Sequence, residues 1–193
     1  RGRREMRRGA ALLLLAAACV SAPRTRWEES GGPVRDGGEL EVAAPPGWMR
    51  STETPRSRFL LTRDGVPLQW ILVGTTRVGE PLPLRANKRA LPAGLSPLET
   101  CDYVLDLLRA DASFSRVRLV ESAPATVAGA QGWRLTADYR LPSGLAVRLA
   151  AYGAMRGDRL DWALYAAPAR HYFARDLATF EHVVESVRAA GAR

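Results

Sequence analysis

The sequence offers few side chains with reactive chemistry. Apart from Cys19 near the amino terminus, Cys101 is the only thiol, and His171 and His182 are the only histidines. A histidine base beside a cysteine raises the thiolate fraction, so a Cys101–His171 pair is the sharpest catalytic hypothesis that these residues allow. The alternative is that Cys101 packs as a small apolar side chain, as free cysteines generally do.

Helical spacing favours the packing interpretation of Cys101. Leu98, Cys101, Leu105 and Leu108 fall on one face of a predicted helix. The first-turn position of Cys101 would lower its pKa through the helix dipole, but its neighbours on that face are apolar. We therefore predict a structural Cys101 and a protein that is not an enzyme.

The remaining polar residues do not suggest a metal or acid–base site. Zinc sites use three or four His, Cys or acidic ligands, and the sequence shows no such spacing. Asp158 and Asp161 flank a predicted turn, and Asp102 and Asp106 lie one helical turn apart. We interpret both pairs as solvated surface and His182 as solvent-facing, with His171 in a loop. The sequence thus predicts no catalytic residue, metal or cofactor.

Tryptophans provide the other feature of interest. The four that lie within the predicted domain are Trp48, Trp70, Trp133 and Trp162. Core and sheet packing accounts for residues of this type, and the alternative is a binding patch for a partner or an apolar ligand, because tryptophan is enriched at binding hot spots.

The net charge does not indicate nucleic-acid binding. Residues 1–18 contain five arginines and one glutamate, so they carry half of the formal charge of +8. The rest of the charge is spread along the chain without a basic stripe interleaved with aromatics. We expect no nucleic-acid partner.

The amino terminus has the pattern of an export signal. Arg7 and Arg8 precede an apolar run from Ala10 to Val20. Runs of about 7–15 residues behind positive charge direct export, whereas a membrane-spanning helix needs about 20. Ala16–Ala18 lead directly into Cys19.

This arrangement resembles the bacterial lipoprotein signal, although Leu15 lies one place before the position where that family prefers leucine. The resemblance implies a signal peptide over residues 1–18 and acyl groups such as palmitate on Cys19. Val20 in place of aspartate implies an outer-membrane location facing the periplasm, if the cell has one. Secretion after cleavage near Ser21 or Ala22, with Cys19 discarded, is the alternative.

Patterning predicts a tether over residues 19–38 and one domain over residues 39–193. Alternating and apolar runs predict about six to seven strands, and Ser96-Pro97-Leu98-Glu99 is a capping box that should begin a helix. Pro45-Pro46-Gly47 should stop the first strand, Asp64-Gly65 should turn a hairpin, and a second helix should end at Gly191. Tight turns between strands favour an antiparallel sheet packed against two main helices, an α+β domain. The expected strands are Glu39–Ala43, Arg58–Arg63, Val66–Gly74, a strand around Val117, Trp133–Leu141, Leu145–Tyr152 and Leu160–Ala166; the helices are Ser96–Arg109 and Tyr172–Ala190.

Short motifs between Glu39 and Arg188 resemble the PsbP-like family. They are Pro46-Gly47-Trp48, Val127-Ala128-Gly129, Tyr165-Ala166-Ala167-Pro168 and the closing Phe180, Val183-Val184 and Ser186-Val187-Arg188. The resemblance implies a PsbP-like sandwich and an accessory protein that binds other proteins, with no shared catalytic residues. The expected function is that of a membrane-anchored, non-enzymatic binding or accessory lipoprotein. The alternatives are a carrier of a small apolar or lipid ligand held between sheet and helix and, less favoured, a thiol enzyme using Cys101.

Overall fold

The computed structural model describes residues 26–35, 39–54, 58–84 and 88–190. Cys19 and the expected signal peptide lie outside the described residues. The described part of the chain forms nine strands and two helices, in the order β1 (Trp27–Arg35), β2 (Leu40–Ser51), β3 (Arg58–Thr62), β4 (Trp70–Arg77), α1 (Pro97–Ala110), β5 (Ser115–Val127), β6 (Ala130–Arg140), β7 (Ala146–Arg156), β8 (Arg159–Pro168), α2 (Tyr172–Ser186) and β9 (Arg188–Ala189).

The strands form one antiparallel sheet in the order β1-β2-β3-β4-β8-β7-β6-β5, and the short β9 pairs with β2. Tight turns join β5 to β6 and β7 to β8, as antiparallel neighbours require. The α+β class, the antiparallel sheet and the two helices are confirmed, but the strands are more numerous than predicted.

Each helix packs on a different face of the sheet, so the domain has two hydrophobic cores. Alternation along the strands supplies both: Leu149 and Ala151 face α1, and Ala150 and Ala154 face α2. Helix α1 packs mainly on β5, β6 and β7, whereas α2 packs on β2 and β8. The two helices therefore cover different strands on opposite faces of the sheet, and each leaves part of its own face uncovered.

The start of α1 follows the predicted capping box. The Ser96 hydroxyl accepts from the Glu99 amide at 3.3 Å, and the Ser96 amide donates to the Glu99 carboxylate at 2.8 Å. Pro97 occupies the first helical position, where its missing N–H removes no intrahelical bond.

The prediction of a tether over residues 19–38 is wrong for Trp27–Arg35, because these residues form strand β1 and pair with β2. Its sequence lacks alternation since it is an edge strand that is exposed along most of its length. The Ser30 hydroxyl donates to the Trp48 carbonyl at 2.7 Å, which fastens this edge to the sheet. The folded domain therefore begins before Glu39.

Two other strand boundaries differ from the sequence prediction, one because of strand pairing and one because of a local turn. Strand β2 continues through Pro45-Pro46-Gly47, where the register between β1 and β2 shifts. Strand β3 pairs only with Met49 and Arg50. The prolines therefore remove no backbone hydrogen bond between β2 and β3. Strand β4 begins at Trp70 instead of Val66, since residues 66–68 form a turn.

Helix α2 ends earlier than predicted. It ends at Ser186 rather than Ala190, because Arg188 and Ala189 pair with β2. Gly191, where the helix was expected to end, lies outside the described residues.

Candidate functional site

A half-open groove lies on the α1 side of the sheet, beyond the end of that helix. Its volume is about 760 Å³. The floor consists of side chains from the middle strands, among them Leu60, Leu72, Val147 and Leu164. These positions share one face because they alternate with residues that pack under α2. The groove is thus the part of this sheet face that α1 does not cover.

Loops form the walls of the groove. Val66 and Leu68 from the β3–β4 loop are each 37% exposed, and both line it. Phe114, which follows α1, lies on the far side and contacts Tyr139, with ring centroids 4.5 Å apart. Trp70 is half-buried at the edge of the floor, so this tryptophan lines the groove and also packs against the core.

The lining of the groove is apolar. Among the described lining residues, none carries a charge at neutral pH, and Ser113 and Tyr139 contribute the only side-chain hydroxyls. A groove of several hundred Å³ with few polar groups has the size and character of a small-molecule site, and it suits a hydrocarbon better than a charged substrate.

A second depression of about 680 Å³ lies between the start of α1 and the β5–β6 hairpin. Trp133 lines it, and the indole N–H of Trp133 is buried without a hydrogen-bond partner among the described residues. The indole lies against Gly153, where a Cβ would come within 2.5 Å of the ring. The start of α1 is already occupied by the Glu99 carboxylate, so this depression presents no vacant helix terminus.

Cys101 lies inside the core under α1 and is 3% exposed. Burial, and secondarily the nearby Asp102 carboxylate, raises the pKa of the Cys101 thiol to about 11. Desolvation of the thiol thus opposes the lowering of the pKa that its position in the first turn of the helix suggested. Leu98, predicted on the same face, is 67% exposed; it sits in the first turn of α1 and lines the open second depression.

The structure separates Cys101 from both histidines. Cys101 packs on the α1 face, whereas His171 precedes α2 on the other face and makes no side-chain capping bond. His182 is exposed on α2, with its Nδ1 2.7 Å from the Ala178 carbonyl oxygen. The sheet lies between the two elements that would have to combine for thiol catalysis.

The paired aspartates have different environments. Asp158 is exposed, but Asp161 is 1% exposed and accepts two hydrogen bonds from Arg156, at 2.8 and 3.3 Å. The interpretation of this pair as solvated surface is therefore wrong for Asp161. Strand alternation turns its side chain toward the α2 side, where the neighbouring Arg156 compensates its charge. Asp102 and Asp106 are exposed on α1, as predicted.

A buried polar network at the start of α2 escaped the sequence analysis. Asp176 is 1% exposed and accepts from Gln69 at 2.6 Å, Arg63 at 3.1 Å and Arg175 at 2.7 Å. Asp176 lies three residues after Phe173 and four before Phe180, so its position on the apolar stripe was the available signal. The network ties α2 to the loop that walls the groove.

The described residues contain no cluster of three or more His, Cys, Asp or Glu side chains arranged to hold a metal ion. Neither α1 nor α2 has the length and apolar character of a membrane-crossing helix.

Comparison with known proteins shows the fold. No protein-family model matches the chain, and no curated protein matches its sequence. Similar solved structures are cyanobacterial PsbP (CyanoP) of Synechocystis (12% identity, 90% of this chain and 98% of that chain, TM-score 0.52), the Ran-binding protein Mog1p of Saccharomyces cerevisiae (12%, 84% and 97%, 0.55) and LpqN of Mycobacterium tuberculosis (15%, 85% and 91%, 0.55). At these identities the likeness establishes a PsbP/Mog1-like α+β fold.

Proposed function

We propose that this chain is a cell-envelope lipoprotein, anchored to a membrane through acyl groups on Cys19, whose α+β domain binds another molecule and catalyses no reaction. The observation that carries the binding function is the open apolar groove, because Ser113 and Tyr139 are the only polar side chains in its described lining. The second depression is lined by more polar side chains, which are Ser96, Ser122, Thr126 and Gln131.

The absence of catalysis rests on the placement of the candidate nucleophile. Cys101 is buried and its pKa lies far above neutrality, so the thiolate that a nucleophile needs is scarce. The sheet separates it from His171.

One neighbour in fold is compatible with a role in the envelope, and another with the binding of a protein partner. LpqN is described as involved in cell envelope biogenesis, and Mog1p as a Ran-binding protein. A protein partner is accordingly part of the proposal. The second candidate function, a carrier of a small apolar or lipid ligand, is favoured by the size and lining of the groove.

The anchor is tested by feeding expressing cells a labelled fatty acid. The wild type is expected to incorporate the label and to fractionate with membranes, whereas Cys19→Ser should do neither. The matched control is Cys101→Ser, which removes the other thiol and should retain the label. Equal labelling of Cys19→Ser and wild type would refute the anchor.

Partner binding is tested by crosslinking in intact cells followed by purification of the anchored protein. A partner protein should be recovered with the wild type at a crosslink that maps to the described domain. Recovery of the same proteins in equal amounts with an unrelated envelope lipoprotein would contradict a specific accessory role.

A further inference from the structure

We propose that the groove binds one acyl chain of a phospholipid from the membrane in which Cys19 is anchored. The inference rests on the proposed anchor, and it deepens the proposed function by naming the ligand class and its source.

The lining of the groove fits a hydrocarbon chain. Leu60, Leu72 and Leu164 form a continuous apolar floor, and no described lining residue carries a charge. A volume of about 760 Å³ lies within the range of sites that enclose small molecules. A chain that leaves the bilayer for this groove exchanges one apolar environment for another, so the transfer needs no exposure of hydrocarbon to water.

The start of the folded domain places the groove near the anchor. Trp27 pairs with Ser51, and alternation puts both on the same face of the sheet as Leu60. Strands lie about 4.8 Å apart, so β1 starts roughly 10 Å from the groove floor on β3. Residues 20–25 join Cys19 to Arg26, and a chain of that length spans at most roughly 25 Å. The anchor thus holds this edge of the domain within reach of the bilayer.

The other uncovered part of the sheet does not suit a hydrocarbon. On the α2 side, β5, β6 and β7 present Arg118, Arg134, Asp138 and Arg148, joined in ion pairs with one another or with Glu121. Exposed ion pairs of this kind are solvated by water, and a hydrocarbon chain lying on them would displace that water. Because the helices cover different strands on opposite faces, one uncovered part of the sheet is charged and the other is apolar. The apolar part is the one closer to Trp27.

The test uses the full chain, as processed by the cell, reconstituted in vesicles of phosphatidylethanolamine and phosphatidylglycerol. The vesicles contain a phospholipid with a photoreactive diazirine at the end of one acyl chain. After illumination, labelled peptides are identified by mass spectrometry. We expect labels within residues 58–72, 139–147 and 160–168, the segments that form the groove.

Two variants and one matched control define the site. Leu68→Arg places a charge on the exposed wall without disturbing the core, and should lower groove labelling by about tenfold, because a charged wall disfavours a hydrocarbon. Leu72→Trp should lower it by filling the floor. Leu98→Arg introduces the same charge at the second depression, and should leave groove labelling unchanged.

The outcomes separate this inference from the proposed anchor. Groove labelling that is lost in Leu68→Arg and kept in Leu98→Arg supports the site, even if Cys19 proves to carry no acyl group. Labels confined to other segments, or equal labelling of wild type and both groove variants, would overturn it, even if Cys19 is acylated.

Discussion

Burial determines the chemistry that Cys101 can perform. Its thiol lies among apolar side chains under α1, and its pKa is raised to about 11, so it is protonated at neutral pH. A neutral buried thiol contributes packing volume instead of a nucleophile.

Cys101→Ala is therefore expected to reduce the free energy of unfolding by on the order of 1 kcal/mol, through the small cavity that the missing sulfur leaves. Urea unfolding measures this change. The native wild type should react slowly with a thiol reagent. Rapid reaction of the native protein, together with loss of cellular activity in a well-folded Cys101→Ser variant, would contradict a structural role.

Asp176 shows how one buried carboxylate can connect two elements. Its carboxylate oxygens accept hydrogen bonds from Gln69, which is fully buried, and from Arg63 and Arg175, which are about half exposed. Removing the carboxylate leaves Gln69 without its acceptor, while the arginines can return to water.

We expect Asp176→Ala to lower the free energy of unfolding by about 2 kcal/mol, the cost typical of leaving a buried neutral donor such as the Gln69 amide without its acceptor. Asp106→Ala is the matched control, because its exposed pair with Arg109 should contribute less than about 1 kcal/mol. Chemical denaturation of both variants decides the prediction, and equal effects would show that the Asp176 network adds little.

At the scale of elements, close approach between β6 and β7 depends on glycine. Gly153 lies opposite Trp133, and a Cβ at Gly153 would come within 2.5 Å of the indole ring. The large side chain is accommodated only because its cross-strand neighbour has none.

Gly153→Ala should accordingly destabilise the domain by about 1–3 kcal/mol, since the indole must move within a packed core. Thermal unfolding and the near-ultraviolet signal of the tryptophans report the change. Gly31→Ala is the control, because Gly31 has open space around its Cα and should stay within about 0.5 kcal/mol of wild type. Similar losses in both variants would refute the steric explanation.

At the scale of the whole molecule, ion pairs on the open charged face link stability to pH. The hydrogen bond from Arg148 lowers the pKa of Asp138 below its ordinary value, against a smaller opposing effect of burial. A carboxylate with a lowered folded-state pKa stabilises the fold above the unfolded-state pKa of about 4, and this stabilisation is lost as the pH falls through the folded-state value.

The melting temperature of the wild type is thus expected to fall below about pH 4, and Asp138→Asn should weaken that fall. The two proteins should differ most above about pH 5 and converge in acid. Arg148→Gln removes the residue that lowers the pKa of Asp138 most, so it should also weaken the fall of the melting temperature in acid. A difference between wild type and Asp138→Asn that stays constant with pH would show that Asp138 does not contribute to the fall.

Features that depend on neighbours in the chain could be predicted from the residues alone. Strand alternation around Trp133–Leu141, the capping box at Ser96 and the stripe of α2 predicted the α+β class, the antiparallel sheet and both helices, because periodicity and capping are local. The predicted export signal ahead of Cys19 likewise rests on a local pattern.

Features that depend on contacts between distant residues became visible only in the folded chain. Strand β1 forms because its backbone pairs with β2, and Asp176 is buried where Gln69 and two arginines donate hydrogen bonds to it. Leu98 is exposed because it faces the open depression at the start of α1. The groove floor joins Leu60 and Leu72, from consecutive strands, to Leu164, which lies far along the chain on β8. No sequence pattern specifies such a surface, because it is created by where α1 ends on the sheet.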